Sequence, residues 1–213
     1  MERFKVEDEV LLIPVTKLHD VDEINLAISE GITDIAENKV QEILSKYERV
    51  NPVNWHFIGH LQTNKVKLII DKVKMIHSVD SLRLAKEIDR CAKLRNITMD
   101  ILIQVNVAGE ESKFGISPVE LGPLLKEIRE NFDNIRIRGL MMIAPYSLDS
   151  EEVRKYFREM RKLYDEYKEE YGMDCLSMGM SNDFRVALSE GSNIVRIGTA
   201  IFGQRDYSKK QGN

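Results

Sequence analysis

The chain alternates between short apolar segments rich in β-branched residues and longer charged segments in which apolar residues recur at helical spacing. Short apolar runs are typical of strands buried on both faces, and the longer segments favour amphipathic helices. Because strands alternating with helices form parallel sheets, and because eight such units favour closure, the pattern predicts an α/β fold, a single (β/α)8 TIM barrel. The predicted strands are Val10–Lys17, Thr33–Asn38, Trp55–His60, Met75–Asp80, Asp100–Asn106, Ile135–Ala144, Cys175–Ser181 and Asn193–Gly203.

The segments between the strands carry recognisable helix signals. Ser117, Pro118 and Glu120 combine an N-cap hydroxyl, a first-turn proline and a carboxylate at the third helical position. In Ser81–Arg95 and in Glu151–Tyr171 the apolar residues fall on one face, so both segments are predicted helices that pack on a core. The methionine and tyrosine residues of the second stripe are interpreted as core residues rather than as a cofactor site.

Nothing in the sequence divides the chain into parts. No linker rich in Pro, Gly or Ser interrupts the alternation, so we expect residues 1–213 to form one domain. Only the segment Gln204–Asn213 follows the last predicted strand, which is less than a typical outer helix and its connection require. We therefore expect the outer helix at the seam between the eighth and first strands to be short or missing.

Composition and charge exclude several classes of function. The formal net charge is −4, with both signs interspersed and no basic stripe, so we expect neither a nucleic acid nor an anionic membrane as partner. No apolar run approaches the roughly 20 residues that cross a bilayer, and Met1–Glu9 lack the apolar core of a signal peptide. Because Cys91 and Cys175 are the only cysteines, no disulfide framework or thiolate metal cluster is predicted. The sequence therefore predicts a cytoplasmic globular protein.

Lys17 is the first candidate for chemistry, because functional residues of such barrels gather at the C-terminal ends of the strands. It ends the first predicted strand, after a run of apolar residues. Partial desolvation at the top of a barrel lowers the pKa of a lysine and frees its amine to form a Schiff base. Position alone, however, favours an ordinary lysine that reaches solvent, since surface lysines are common.

The ends of the seventh and eighth strands form a candidate phosphate site. Barrels of this kind often bind phosphate in the loops after these two strands, through backbone N–H groups and Ser or Thr hydroxyls. Glycine at such positions permits a close approach of the backbone to the ligand. Residues of these types are Gly179, Ser181, Gly198 and Thr199. Ordinary turn chemistry is the alternative interpretation.

Three polar residues within predicted strands have roles that the pattern leaves open. Arg196 lies in an apolar strand, and a buried arginine needs acceptors from a carboxylate, a ligand phosphate or a ring nitrogen. His56 and His60 share strand parity, but no third ligand at a clear spacing accompanies them, so no metal site is predicted. The chain also contains no nucleophile elbow, Walker loop or GxGxxG motif.

Four segments, in order along the chain, resemble the pyridoxal phosphate homeostasis protein family. The most specific is Trp55–Lys65, which reads WHFIGHLQTNK and resembles the signature of that family. The other three are Glu37–Glu42, Leu176–Ser181 and Val195–Gly203. The resemblance covers essentially the whole chain.

The resemblance implies a barrel like the N-terminal domain of alanine racemase, with pyridoxal 5′-phosphate as cofactor, held as a Schiff base on Lys17. Ser181, Gly198 and Thr199 would hold the phosphate, and Arg196 would approach either the pyridine nitrogen or the phosphate. The implied neighbours of the ring are Asn38, His60 and Met142.

Two departures from the family pattern concern the cofactor site. Members usually begin with an additional N-terminal helix, whereas this chain starts almost directly at the first strand. Around the lysine the sequence reads Pro14-Val15-Thr16-Lys17-Leu18, where the family more often has a small residue followed by Val-Ser-Lys-Thr. The lysine is retained, so we expect an effect on affinity rather than on attachment.

The family resemblance implies a function in intracellular homeostasis of pyridoxal phosphate, by buffering or delivery, without turnover of amino acids. The expected protein is a monomer that makes transient contacts with pyridoxal-phosphate enzymes. The alternative is a racemase-like pyridoxal-phosphate enzyme, although such barrels carry a second domain that this chain lacks the length to supply. A third possibility is a barrel enzyme that acts on a phosphorylated sugar, with Lys17 as its Schiff-base lysine.

Overall fold

The computed structural model describes residues 10–203, in which eight parallel strands pair side by side around a barrel. Strands β2 to β8 pair in chain order, and β8 pairs with β1 over four residues. A single bridge between Val15 and Ala36 joins β1 to β2 and completes the ring. The predicted (β/α)8 TIM barrel is confirmed. The strands are β1 Leu11–Pro14, β2 Asp34–Glu37, β3 Asn54–Phe57, β4 Met75–Val79, β5 Met99–Gln104, β6 Ile135–Met141, β7 Cys175–Ser177 and β8 Ile194–Ile197.

A helix follows each strand on the outside of the barrel. Short 3-10 turns at Thr63–Lys65, Pro118–Glu120 and Ser150–Val153 lead into the third, fifth and sixth helices. The predicted helix start at Ser117 is confirmed, since Glu120 accepts a hydrogen bond from the Ser117 backbone N–H at 2.9 Å. The helices are α1 Val21–Ser29, α2 Val40–Lys46, α3 Val66–Ile69, α4 Leu82–Arg95, α5 Leu121–Asn131, α6 Arg154–Tyr171, α7 Phe184–Ser189 and α8 Thr199–Phe202.

The prediction of one continuous strand over Asn193–Gly203 is wrong beyond Ile197, because the chain turns at Gly198 and forms α8. The apolar run that suggested a strand has no ladder partner there, since β1 already ends opposite Ile197. Four-residue α8 agrees with the expectation of a short outer helix at the seam. Segments 1–9 and 204–213 lie outside the described residues.

Successive side chains along each strand point alternately into the barrel and outward toward the helices, which creates two packing layers. On β5, Leu102 belongs to an apolar cluster inside the barrel, whereas Ile101 and Ile103 belong to the larger core between the strands and the helices. The apolar face of α6 packs on that outer core through Phe157 and Met160, as its periodicity predicted. Burial of each such side chain stabilises the fold by about 1.5–3 kcal/mol, so the barrel is a firm frame for the residues at its rim.

The barrel interior is not uniformly apolar. Polar side chains that are buried within it include Asp34, His56, His77, Gln104, Ser177 and Arg196. Buried polar groups are costly unless they are hydrogen-bonded, so this arrangement must be internally satisfied. Among residues 10–203, none of the helices combines the length and apolar composition that a bilayer crossing requires.

Candidate functional site

A cavity of about 520 Å³ opens at the C-terminal ends of the strands. This volume is in the range of sites that bind small molecules and cofactors. Seven of the eight residues predicted at the site line it: Lys17, Asn38, His60, Ser181, Arg196, Gly198 and Thr199. The eighth, Met142, does not line it.

The sequence pattern predicted that Lys17 ends the first strand. In the structure Lys17 lies in a turn just beyond β1. The strand ends at Pro14, and only the bridge at Val15 continues the pairing. The turn is tight, because His19 N–H donates to the Thr16 carbonyl at 3.1 Å and Leu18 has a φ of 67°. The Lys17 side chain is half-buried and lines the cavity.

A buried ion-pair cluster lies directly behind this turn. Lys46 Nζ is 2.7 Å from Glu37 Oε1 and 2.6 Å from Glu42 Oε2, and it donates to the Thr16 carbonyl at 2.9 Å. The Thr16 hydroxyl donates to Glu37 at 2.7 Å, and Glu42 accepts from the Leu18 N–H at 3.4 Å. Both neighbours of Lys17 are therefore tied to one cluster.

Burial governs the protonation of Glu37 in this cluster. It raises the pKa of the Glu37 carboxyl above its ordinary value, although the charge of Lys46 and the hydrogen bonds from Lys46 and Thr16 act in the opposite direction. One oxygen of Glu37, Oε2, is buried without a hydrogen-bond partner among the described residues. The carboxylate therefore depends strongly on Lys46 for its stabilisation.

The loops after β7 and β8 meet at one end of the cavity. The backbone N–H of Gly198 donates to the Ser181 hydroxyl at 3.3 Å, which joins the two loops. Within the described part of the chain, the N–H groups of Ser181, Asn182 and Thr199 donate to no protein acceptor. This end of the cavity thus presents hydrogen-bond donors with unused capacity, the usual property of an anion site.

Arg196 points into the barrel and lines the cavity, which settles the side of β8 on which it lies. Its Nη1 atom donates to the Ser177 hydroxyl at 2.5 Å and its Nη2 atom donates to the Met142 carbonyl at 2.8 Å. Burial lowers the pKa of Arg196 to about 10, with the charge of Asp183 opposing that shift. In the described chain no carboxylate lies within ion-pair distance of this guanidinium.

The side chain of Met142, which was expected beside a bound ring, does not reach the cavity. Its side chain is 1% exposed and packs in the outer core, because alternation at the end of β6 turns it away from the barrel axis. Only its carbonyl faces the site, as an acceptor for Arg196. The next residues, Ile143 and Ala144, line the cavity instead.

His60 lies at the mouth of the cavity. Its ring stacks on Phe114 with centroids 4.0 Å apart, and its Nδ1 atom is 3.6 Å from Asp80. His56 has the same parity as His60 in the sequence, but it lies deep in the barrel against Asp34. The two differ because β3 ends at Phe57, so the alternation of side chains does not extend to His60. The two histidines therefore form no common site, and no cluster suited to a metal ion occurs among residues 10–203.

Sequence reasoning missed three residues around the cavity. Lys113 and Phe114 lie in the loop after β5, and Lys113 donates to the Ala144 carbonyl at 2.8 Å. The signal available in the sequence was a long loop at the functional end of the barrel, where binding residues often lie. Lys46 was missed because it resembles any lysine of a helix; the signal was Glu37, a carboxylate inside a strand, which requires a buried cation.

Comparison with known proteins agrees with this architecture. The family model of the alanine racemase N-terminal domain matches residues 3–206. The pyridoxal phosphate homeostasis protein of Aquifex aeolicus is 50% identical over 181 residues, covering 83% of this chain and 79% of the relative. The protein of the same name from Escherichia coli K12 is 40% identical over 212 residues, covering 95% of this chain and 89% of the relative.

Solved structures give the same result. PipY of Synechococcus elongatus without PLP superimposes with a TM-score of 0.88 at 33% identity, covering 93% of this chain and 95% of PipY. PipY with PLP bound gives a TM-score of 0.83 at 32% identity, with the same coverage. Alanine racemase of Clostridium difficile shares the fold alone, with a TM-score of 0.78 at 17% identity over 93% of this chain and 53% of the racemase. The chain belongs to the family of pyridoxal phosphate homeostasis proteins, built on the barrel of the alanine racemase N-terminal domain.

Proposed function

We propose that this protein binds pyridoxal 5′-phosphate through Lys17 and buffers or delivers it in the cytoplasm, without turning over amino acids itself. The observation that carries the proposal is the convergence of a lysine, a buried arginine and a set of unused backbone donors in one cavity. PipY, which has this fold, is a protein with PLP bound in its structure.

The donor end of the cavity fits a phosphate. Ser181, Asn182 and Thr199 offer backbone N–H groups without protein acceptors, and the Ser181 and Thr199 hydroxyls lie beside them. Gly198 allows a ligand to approach the backbone closely, since glycine has no side chain of its own. Hydrogen bonds from such donors to a charged phosphate are short and strong, so this end would fix the position of the cofactor.

Lys17 is the residue that would attach the cofactor. When bound, pyridoxal phosphate supplies an aldehyde that condenses reversibly with a primary amine. The turn that carries Lys17 is held on both sides by the cluster of Lys46, Glu37 and Glu42, so the amine is presented from a fixed backbone. A fixed turn reduces the entropy lost on attachment and favours holding the cofactor.

Arg196 is assigned to the ring nitrogen rather than to the phosphate. Its guanidinium reaches back across β7 to the Met142 carbonyl, while the phosphate donors lie in the loops beyond the strand ends. A cation beside the pyridine nitrogen disfavours protonation of that nitrogen and weakens the ring as an electron sink. This arrangement suits storage better than chemistry at an amino-acid α-carbon. Asn38 and His60 line the cavity as the remaining neighbours of the ring.

That the protein does not turn over amino acids is inferred from where its acid/base groups lie. Racemisation requires a positioned group on each face of the α-carbon, and Lys17 would serve one face. Tyr146 is the candidate for the other, but it is 77% exposed at the cavity mouth and its hydroxyl has no hydrogen-bond partner among the described residues. Such a residue is not positioned. We infer that a monomer contacts recipient enzymes transiently, since delivery requires release.

An absorption spectrum of the reconstituted protein tests this function. We expect a yellow protein, a phosphopyridoxyl mass on the Lys17 peptide after borohydride reduction, and transfer of the cofactor to an added apoenzyme. A colourless protein after incubation with pyridoxal phosphate would refute binding. A yellow protein that never releases its cofactor to an apoenzyme would refute delivery.

A further inference from the structure

A continuous chain of hydrogen-bonding side chains crosses the interior of the barrel beneath the cavity. Arg196 Nη1 is 2.5 Å from Ser177 Oγ, and Ser177 Oγ is 3.2 Å from His77 Nδ1. His77 Nε2 is 2.9 Å from His56 Nδ1, and His56 Nε2 is 2.8 Å from Asp34 Oδ1. All five side chains are buried. The chain joins a cation at the cavity to an anion at the opposite end of the barrel.

The two ends of this chain fix the direction of the hydrogen bonds next to them. A guanidinium can only donate, so Ser177 accepts from Arg196. At the other end, burial alone would raise the pKa of Asp34, but hydrogen bonds from His56 and Thr33, the charge of His56 when present and the charge of Lys74 hold that pKa well below its ordinary value. Asp34 is therefore an ionised acceptor, and His56 donates to it through Nε2.

The middle of the chain then admits one consistent arrangement. Burial, together with the positive charges of His56 and Arg196 when present, keeps the pKa of His77 well below its ordinary value, so His77 is neutral. If the Ser177 hydroxyl donates to His77 Nδ1, the His77 proton lies on Nε2 and is donated to His56 Nδ1. Every group then donates to the next one, from Arg196 to Asp34, and both histidines are neutral.

The opposite arrangement leaves a buried proton without an acceptor. A charged His56 would donate to His77 Nε2, and His77 would then have to donate to Ser177 from Nδ1. Ser177 would accept from both His77 and Arg196, and its own hydroxyl proton would find no acceptor among the described residues. An unsatisfied buried polar group is costly, so the one-way arrangement is favoured.

We infer that Ser177 and His77 are positioning residues for Arg196, because the one-way chain of hydrogen bonds through them to Asp34 holds the guanidinium in the cavity wall. Two of the guanidinium nitrogens are held by Ser177 and the Met142 carbonyl, which fixes the plane of the group. The inference rests on the proposed function only in that a ligand of the cavity would meet this fixed arginine.

The first test measures the direction of the hydrogen-bond chain in the protein without cofactor. The protein has four histidines, and the double variant His19→Gln, His60→Gln leaves His56 and His77 as the only imidazoles for ¹⁵N NMR. We expect both rings to be neutral near pH 7, each with its proton on Nε2 and none on Nδ1. A proton on Nδ1 of His77, or a charged His56, would overturn the inference.

The second test cuts the chain at Ser177. In Ser177→Ala we expect a changed Nδ1 signal of His77 and about tenfold weaker binding of pyridoxal phosphate, since a hydrogen bond to a charged group is lost. Ser192→Ala is the matched control, because Ser192 is also buried but donates only to backbone carbonyls. Equal affinities of the two variants would refute the positioning role.

The two proposals fail in different ways. If the wild-type protein takes up no pyridoxal phosphate, the proposed function is refuted, while the imidazole spectra of the cofactor-free protein still decide the direction of the chain. If the protein binds pyridoxal phosphate on Lys17 but His77 carries its proton on Nδ1, the positioning chain alone is refuted.

Discussion

The buried ammonium of Lys46 donates a 2.9 Å hydrogen bond to the backbone carbonyl of Thr16, the residue that immediately precedes Lys17. The same ammonium pairs with Glu37 and Glu42, and Glu42 accepts from the N–H of Leu18 on the other side of Lys17. One lysine therefore holds the turn that brings another into the cavity. The stability of the fold and the presentation of the Lys17 amine depend on the same cluster.

Replacement of Lys46 by methionine should destabilise the protein by about 3–5 kcal/mol, because Glu37 would remain buried without its cation. The loosened turn should also slow the uptake of pyridoxal phosphate. Urea unfolding measures the first effect and the growth of the yellow absorption measures the second. The control is Lys86→Met, which removes an exposed lysine of α4. Equal stability of the two variants would contradict the role of the cluster.

The loss in Lys46→Met should grow with pH. Burial already raises the pKa of Glu37 in the folded state, and without Lys46 the opposing charge and hydrogen bond are gone. A carboxyl with a raised folded pKa binds its proton more tightly when folded, so stability falls as pH rises above the ordinary value of 4.5. Adding Glu37→Gln to Lys46→Met should therefore restore more stability at pH 8 than at pH 5. Equal restoration at both pH values would contradict this origin.

The fold could be read from the sequence, but the cluster behind Lys17 could not. Alternation and periodicity are local signals, and they predicted eight strands and the buried face of α6 correctly. The contact of Lys46 with Thr16 joins residues 30 positions apart, and no local pattern encodes it. The end of β8 was misjudged for a related reason, since Gly198 ends the strand where its neighbour β1 also ends.

The candidate site was only partly predictable for the same physical reason. Strand ends identified the region of Lys17, Ser181 and Thr199, because the topology of a parallel barrel brings strand ends together. The orientation of a side chain at a strand end depends on where the strand stops. This is why the direction of Arg196 was open, and why Met142 was expected near the ring although its side chain lies in the outer core.

Attachment at Lys17 predicts a clear difference between two lysines of the cavity. Lys17→Ala should abolish the yellow absorption and the borohydride-stable label, because the amine is lost. Lys113→Ala should keep both, since Lys113 is engaged by Glu110 and the Ala144 carbonyl. Peptide mapping by mass spectrometry distinguishes the sites. A label found on Lys113 or Lys65 of the wild-type protein would refute the assignment.

The proposed phosphate site predicts a loss of affinity that depends on whether the ligand carries a phosphate. Replacement of Ser181 and Thr199 together by alanine should weaken the binding of pyridoxal phosphate by about 1.5–3 kcal/mol for each charge-assisted hydrogen bond lost. Binding of unphosphorylated pyridoxal should hardly change. Ser147→Ala is the control, because Ser147 also lines the cavity but engages Glu152. An equal loss for both ligands would mean that the phosphate is held elsewhere.

The absence of turnover can be tested at the α-carbon of a free amino acid. Positioned acid/base catalysis contributes about 10²–10⁴-fold per group, and the only tyrosine among the residues that line the cavity, Tyr146, is 77% exposed at its mouth. With Lys17 alone in position, the holoprotein should exchange the α-proton of L-alanine for deuterium no faster than free pyridoxal phosphate does. Proton NMR in deuterated buffer measures this rate.

Tyr146→Phe is the variant that separates a carrier from a racemase-like enzyme. In a carrier it should leave both the slow exchange and the affinity for pyridoxal phosphate unchanged, because the exposed hydroxyl makes no hydrogen bond within the described chain. In an enzyme, ligand binding would draw Tyr146 into the cavity, and loss of its hydroxyl would then remove the second acid/base group. Exchange well above that of free pyridoxal phosphate, abolished by Tyr146→Phe but retained in Ser147→Ala, would therefore establish catalysis and refute a purely homeostatic function.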